Sequence, residues 1–232
     1  MSQAARQKGR AGQFRAVIFD MDGVIADSEP TYREAINLML APTGHRMSDQ
    51  QYEEVIGTSV HFTWRTIQET FGIEGDVEEY VRRYDQALVD LLRRPLPPLP
   101  GVRELLAELR RRGLPAALAT SSWKRWAEAL LQATGLDGAF EAVVWREMAE
   151  RPKPAPDLFL RAAALVGVEP GRCLVLEDTA PGLEAARAAG MLAVQVRSAS
   201  TALPPQPHAD LVLDSLEDFP LSLLAEDWAP AA

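Results

Sequence analysis

From about residue 100 onward, helical and strand-like stretches take strict turns along the chain. In order they read VRELLAELRRR, PAALAT, WKRWAEALLQAT, AVVW, PDLFLRAAALV, RCLVLE, GLEAARAA, LAVQV, a short DLVL and a last helical stretch. Helix and strand in such alternation predict parallel strands with helices on both faces. Earlier, FRAVIFD is a β-branched and aromatic run that stops at acidic residues and a glycine, and it predicts a further buried strand. Four predicted helices end at a glycine followed at once by an apolar residue: Gly113 before Leu114, Gly135 before Leu136, Gly167 before Val168 and Gly190 before Met191. Each is expected to cap its helix and turn the chain back toward the sheet.

Residues 31–96 break this rhythm. YREAINLMLA, VHFTWRTIQETF and VEEYVRRYDQALVDLLRR have helical spacing with no strand-like alternation, so a small helical unit is expected between the first strand and the rest. Its exit, RRPLPPLPGV, carries Pro95, Pro97, Pro98 and Pro100 and reads as a stiff connector; ADSEPT reads as the other hinge. The expected organisation is a flexible tail over 1–13, an α/β core from 14–30 and 97–232, and a helical cap over 31–96.

Composition excludes several classes of function. The net charge of −9 disfavours polyphosphate backbones, so nucleic acid is not an expected partner. No run approaches the ~18 apolar residues of a membrane helix, and MSQAARQKGRAGQ lacks an apolar signal core; a cytoplasmic protein without membrane association is expected. The single cysteine, Cys173, lies inside RCLVLE and reads as a buried core thiol. A monomer is expected, with a dimer as the alternative.

The chemistry concentrates at strand ends. In FDMDGV, Asp20 and Asp22 end a hydrophobic strand two residues apart, so both carboxylates can lean toward one side of its carboxyl end, where open α/β sheets bind ligands. Carboxylates that close call for a shared proton or a cation. ALATSS brings Thr120, Ser121 and Ser122 to a second strand end before a helix, an arrangement suited to capping, anion binding or both. Of 24 cations only Lys8, Lys124 and Lys153 are lysines. Lys153, between two prolines in RPKPAPD, predicts a compact ammonium on a stiff loop, available to phosphate oxygens; Lys124 reads as a helix-surface residue. RCLVLE ends in Glu177 and Asp178, which with the first pair offers the oxygen ligands that Mg²⁺ prefers.

In order and spacing, DMDGV, TSS, KP and ED resemble the four motifs of the haloacid dehalogenase superfamily of phosphatases. FDMDGVIADSEP, ATSS, KPAPDLF and LEDTAPGLEAARAAG resemble the branch that contains β-phosphoglucomutase and phosphoglycolate phosphatase. The resemblance implies a Rossmann-like α/β fold with strands ordered 5-4-1-2-3, an inserted helical cap, and a site at the carboxyl ends of strands one, two and four. It implies Asp20 as the nucleophile, Asp22 as general acid and base, and Mg²⁺ held by Asp20, the Asp22 backbone carbonyl and Asp178, with Glu177 in or just behind its water shell. Thr120, the Ser121 N–H and Lys153 would bind the transferring phosphoryl group, and Ser122 is expected with Ser121 as a substrate-binding residue. None of His45, His61 and His208 is placed beside these carboxylates.

Particular residues separate the activities of that family. The dehalogenases lack the second aspartate, and phosphonate-cleaving members need a cap lysine that residues 31–100 do not contain. The cap-hinge histidine and cap arginine of the mutases match Tyr32 and Val60, which favours hydrolysis over mutase chemistry. Gly57, Thr58 and Ser59 form the cap turn expected to face the substrate, with His61, Trp64 and Arg65 as recognition candidates; Trp64 also reads as a cap-core residue. The expected activity is hydrolysis of a small phosphorylated metabolite, a sugar phosphate or a phosphoglycolate-like acid. A phosphosugar mutase is the alternative. A non-catalytic binding module on the same fold is disfavoured by the presence of Asp20, Asp22, Lys153 and Asp178.

Overall fold

The computed structural model describes residues 11–56, 58–197 and 204–226. They divide into two compact units, Ser28–Pro95 and the chain on either side of it. The strands are β1 (Ala16–Phe19), β2 (Ala116–Ala119), β3 (Ala142–Val144), β4 (Cys173–Glu177), β5 (Leu192–Val196) and β6 (Leu211–Leu213). The helices of the first unit are α1 (Glu29–Leu40), α2 (Asp49–Glu53), α3 (Val60–Phe71) and α4 (Val77–Leu92). Those of the second are α5 (Val102–Arg111), α6 (Lys124–Thr134), α7 (Asp157–Leu165) and α8 (Ala180–Ala188).

The sheet runs β3-β2-β1-β4-β5-β6, and every neighbouring pair is parallel. Every residue of β1, β2, β4 and β5 is buried, as near-continuous apolar strands covered on both faces should be, with Glu177 and Gln195 the polar exceptions. Helix α7 packs on β1, β2 and β3, and α8 on β4 and β5. Ile18, Val175, Leu158, Phe159 and Leu183 meet in the core between these layers. Cys173 belongs to the same cluster, and burial pushes its thiol up to about 12, so it is not a nucleophile at neutral pH.

The expected five-strand order differs in one detail, because Leu211–Leu213 pairs with β5 and extends the sheet to six strands. The last helical stretch is also corrected. It forms two 3₁₀ turns, Leu216–Asp218 and Leu221–Leu223, since Pro220 interrupts the segment. The four helix-ending glycines all adopt positive φ, between 64° and 68° at Gly135, Gly113 and Gly167 and 75° at Gly190. No described helix is long and apolar enough to cross a membrane.

In the unit Ser28–Pro95, α4 packs against α1 and α3. Trp64 of α3 is fully buried, stacked on Tyr80 at 5.1 Å and edge-on to Tyr84 at 5.7 Å, so it is a core residue of that unit. The short α2 escapes a periodicity reading because it is barely more than one turn. Its start is written in S-x-x-Q: Ser48 and Gln51 form a reciprocal capping box.

Candidate active site

Strand register brings the acidic residues together. Phe19 of β1 pairs with Leu176 of β4, so the next residues, Asp20 and Glu177, fall side by side. The Asp20 backbone N–H donates to the Leu176 carbonyl at 2.8 Å, which continues the ladder one step beyond the strand. Lys153 reaches the same point from the loop before α7. Its Nζ donates to Asp20 Oδ1 at 2.6 Å and to Glu177 Oε2 at 2.7 Å, and lies 4.8 Å from the centre of the Phe159 ring. Only 8% of the Lys153 and Asp20 side chains is exposed, and 1% of Glu177. This is a buried three-member charge network, held by charge-assisted hydrogen bonds.

Glu177 is fastened from both sides. Its Oε1 accepts from the Thr179 hydroxyl at 2.7 Å, the Thr179 N–H at 3.0 Å and the Asp178 N–H at 3.2 Å. Thr179 also caps α8 by accepting from the Gly182 N–H. A side chain at position 182 would collide with this carboxylate, since a Cβ there would lie 1.9 Å from Glu177 Oε2. Gly23, at φ +76°, makes the turn after β1, and a Cβ there would lie 2.2 Å from Asp178 Oδ2. The two glycines therefore set how closely the acidic groups approach the backbone.

One oxygen from each of Asp20, Glu177 and Asp178 lies within 4.8 Å of the others. Burial, then Glu177, push the Asp20 carboxyl from 3.8 up to about 8 against the pull of Lys153. Burial, then Glu177 and Asp20, push Asp178 well above the usual carboxylate range. For Glu177 burial acts upward, but Lys153 and Thr179 outweigh it and hold the group low. Burial pulls Lys153 down, but Asp20 and Glu177 outweigh it and raise it. Three carboxylates therefore share one ammonium. Asp178 Oδ1 is buried and accepts no hydrogen bond from any described residue. An oxygen-only donor set with excess negative charge and one unsatisfied buried oxygen fits a hard divalent cation.

The second strand end lies next to β1. Thr120 is fully buried, and its N–H donates to the Val144 carbonyl at 2.9 Å. Its Oγ1 accepts from the Ser122 N–H at 2.9 Å, and the Ser122 hydroxyl donates to Asp22 Oδ2 at 2.9 Å. Ser121 is exposed and Asp22 half-buried. The other unit holds the remaining sequence candidates. Thr58 Oγ1 bonds the Val55 carbonyl and lies 3.0 Å from Thr63 Oγ1, and Ser59 caps α3 by accepting from the Phe62 N–H. His61 lies 3.3 Å from Glu78, and both are exposed, as is Arg65. Gly57 lies outside the described residues. Sequence reasoning missed Phe159, Thr179 and Gly182. Of these only Thr179 has a local signal, a threonine three residues before a glycine at a helix start.

The family model for haloacid dehalogenase-like hydrolases matches residues 14–190. The chain is 39% identical to fructose-1-phosphate phosphatase YqaB of Escherichia coli (strain K12), over 80% of this chain and 97% of that protein. The chain belongs to the haloacid dehalogenase-like hydrolases. This hydrolase is also 32% identical to β-phosphoglucomutase of Bacillus subtilis, over 92% of this chain and 95% of that one. Among solved structures, CbbY of Rhodobacter sphaeroides in complex with phosphate has a TM-score of 0.76 at 27% identity, covering 88% of this hydrolase and 96% of that chain. Phosphatases and a phosphosugar mutase therefore both stand among its relatives, and the family assignment makes it an enzyme.

Proposed function

We propose that this hydrolase is a Mg²⁺-dependent phosphatase that cleaves a small phosphomonoester, a sugar phosphate or a phosphoglycolate-like acid, through an aspartyl-phosphate on Asp20. The observation that carries the reading is the meeting of Asp20, Lys153, Glu177 and Asp178, with Lys153 Nζ 2.6 Å from Asp20 Oδ1 and 2.7 Å from Glu177 Oε2. A carboxylate next to a single buried cation and a vacant acidic oxygen suits phosphoryl transfer, which asks mainly for in-line positioning and charge neutralisation.

In the first step an Asp20 oxygen forms a bond to phosphorus while the bond from phosphorus to the ester oxygen breaks. The electron pair goes to the ester oxygen, which takes a proton from Asp22 and leaves as an alcohol. In the second step Asp22 takes a proton from water, the water oxygen bonds to phosphorus, and the bond to Asp20 breaks. A carboxylate nucleophile thus divides one difficult hydrolysis into two easier steps. Lys153, Thr120 and the Ser121 N–H would bind the phosphoryl oxygens, while Glu177 holds Lys153 in place. Asp20, Asp178 and the Asp22 carbonyl would hold Mg²⁺. When bound, that ion supplies positive charge to offset the repulsion between an anionic nucleophile and an anionic ester.

A panel of phosphorylated metabolites, including fructose 1-phosphate, phosphoglycolate and the glucose 1-phosphates with a bisphosphate activator, tests the reading. Free phosphate is the expected product. Conversion of a glucose 1-phosphate to glucose 6-phosphate without phosphate release would replace it with the mutase alternative.

A second prediction concerns pH. A carboxyl whose folded pKa stands above its unfolded value binds its proton more readily when folded. Asp20, at about 8 against 3.8, therefore withdraws stability as pH rises between those values, and Asp178 acts in the same direction. Mg²⁺ competes with those protons, so its stabilising effect should grow with pH. Thermal melts should show a larger Mg²⁺-induced rise in Tm at pH 8 than at pH 5.5, and the rise should vanish in Asp178→Asn. An equal shift at both pH values, or a shift that survives the substitution, would remove the ion from this site.

A further inference from the structure

We propose that Ser122 is a positioning residue that holds the Asp22 carboxylate in its proton-transfer orientation, and that it does not bind the substrate's phosphate. The inference rests on the phosphatase reading above. Three observations carry it. The Ser122 hydroxyl donates to Asp22 Oδ2 at 2.9 Å across 100 residues of sequence. Ser122 is 7% exposed although Ser121 beside it faces solvent. Its backbone is pinned at both ends, because its N–H donates to Thr120 Oγ1 at 2.9 Å and its carbonyl accepts from the Arg146 N–H at 3.1 Å.

These bonds transmit the sheet to the acid. Thr120 is tied to the end of β3 through the Val144 carbonyl, and Arg146 lies just beyond that strand. Ser122 is thus set by two adjacent strand ends, and its hydroxyl follows. The Asp22 carboxylate needs such a guide, because rotation about its terminal bond is broad and the residue sits in a turn. A hydroxyl has one proton to donate, and a phosphoryl oxygen only accepts. With that proton on Asp22, the hydroxyl has none for the phosphoryl group, whereas the buried Thr120 hydroxyl and Lys153 keep donors for it. Asp22 gives its proton to the ester oxygen as the bond to phosphorus breaks and recovers one from water in the second step. Its orientation therefore matters most when the leaving oxygen is basic.

The test compares phenyl phosphate with p-nitrophenyl phosphate, two esters of similar shape whose leaving groups differ in basicity. Phenolate needs a proton as it departs, and p-nitrophenolate needs it far less. In Ser122→Ala the ratio of kcat/KM for phenyl phosphate to that for p-nitrophenyl phosphate should fall roughly tenfold, as expected for a misaligned general acid. Ser122→Thr keeps the hydroxyl and should return the ratio toward the wild-type value. Because both esters are read on one sample, the ratio does not depend on how much of the variant folds. A ratio equal in all three proteins would overturn the proposal, even with a large loss on both esters, since a phosphate-binding serine acts on the two alike. Failure of the phosphatase reading shows separately, in wild-type enzyme that releases phosphate from neither ester, and it overturns both.

Discussion

Replacing Asp20 with asparagine should abolish phosphate release, by about 10⁴-fold or more, because the amide cannot attack phosphorus. The fold should survive. Asparagine has nearly the shape of aspartate, and burial together with Glu177 already drives the Asp20 carboxyl up to about 8. Near neutral pH the metal-free protein therefore favours a proton on Asp20, and a neutral amide relieves the crowding of carboxylates around Lys153. Without Mg²⁺, the Tm of Asp20→Asn should equal or exceed that of the wild type at pH 8, while its activity is lost. An active Asp20→Asn enzyme would remove Asp20 as the nucleophile.

Lys153→Met should damage both activity and stability. Lys153 is the one cation bonded to the three-carboxylate cluster among the described residues, with 8% of its side chain exposed. Its removal leaves Asp20 and Glu177 buried without their ammonium. Breaking a buried pair from one side typically costs about 3–5 kcal/mol, and urea unfolding of the metal-free protein should show a loss of that order. Activity should fall roughly 10²–10³-fold, the usual effect of removing one donor to the developing charge. Combined with Asp20→Asn, the stability loss should be smaller than the sum of the two changes, because both substitutions remove the same Lys153–Asp20 pair. Full stability in Lys153→Met would mean that the ammonium is not what holds the cluster.

Much of this arrangement was legible along the chain, because acids that end apolar strands and a helix–strand alternation are local signals. Asp20 follows β1, Glu177 ends β4 and Asp178 follows it, and the parallel register between those strands brings them together. The helical interruption, the glycine caps and the lysine between two prolines were legible for the same reason. What stayed hidden depends on contacts distant in sequence. The Ser122 bond to Asp22 spans 100 residues, and the closeness of Gly182 to Glu177 appears only once α8 is laid against β4. The final helix failed because Pro220 lies within a stretch too short to continue past it. The additional edge strand, Leu211–Leu213, is only three residues long, and its partner could not be read from its own sequence.

The most direct test of the covalent step is the mass of the Asp20 peptide after acid quench during turnover. Wild-type enzyme mixed with substrate and Mg²⁺ should yield a fraction of that peptide heavier by one PO₃ unit, labile to hydroxylamine, and Asp20→Asn should yield none. Phosphate on any other residue, or wild-type turnover with no modified peptide at any quench time while substrate is saturating, would contradict nucleophilic attack by Asp20.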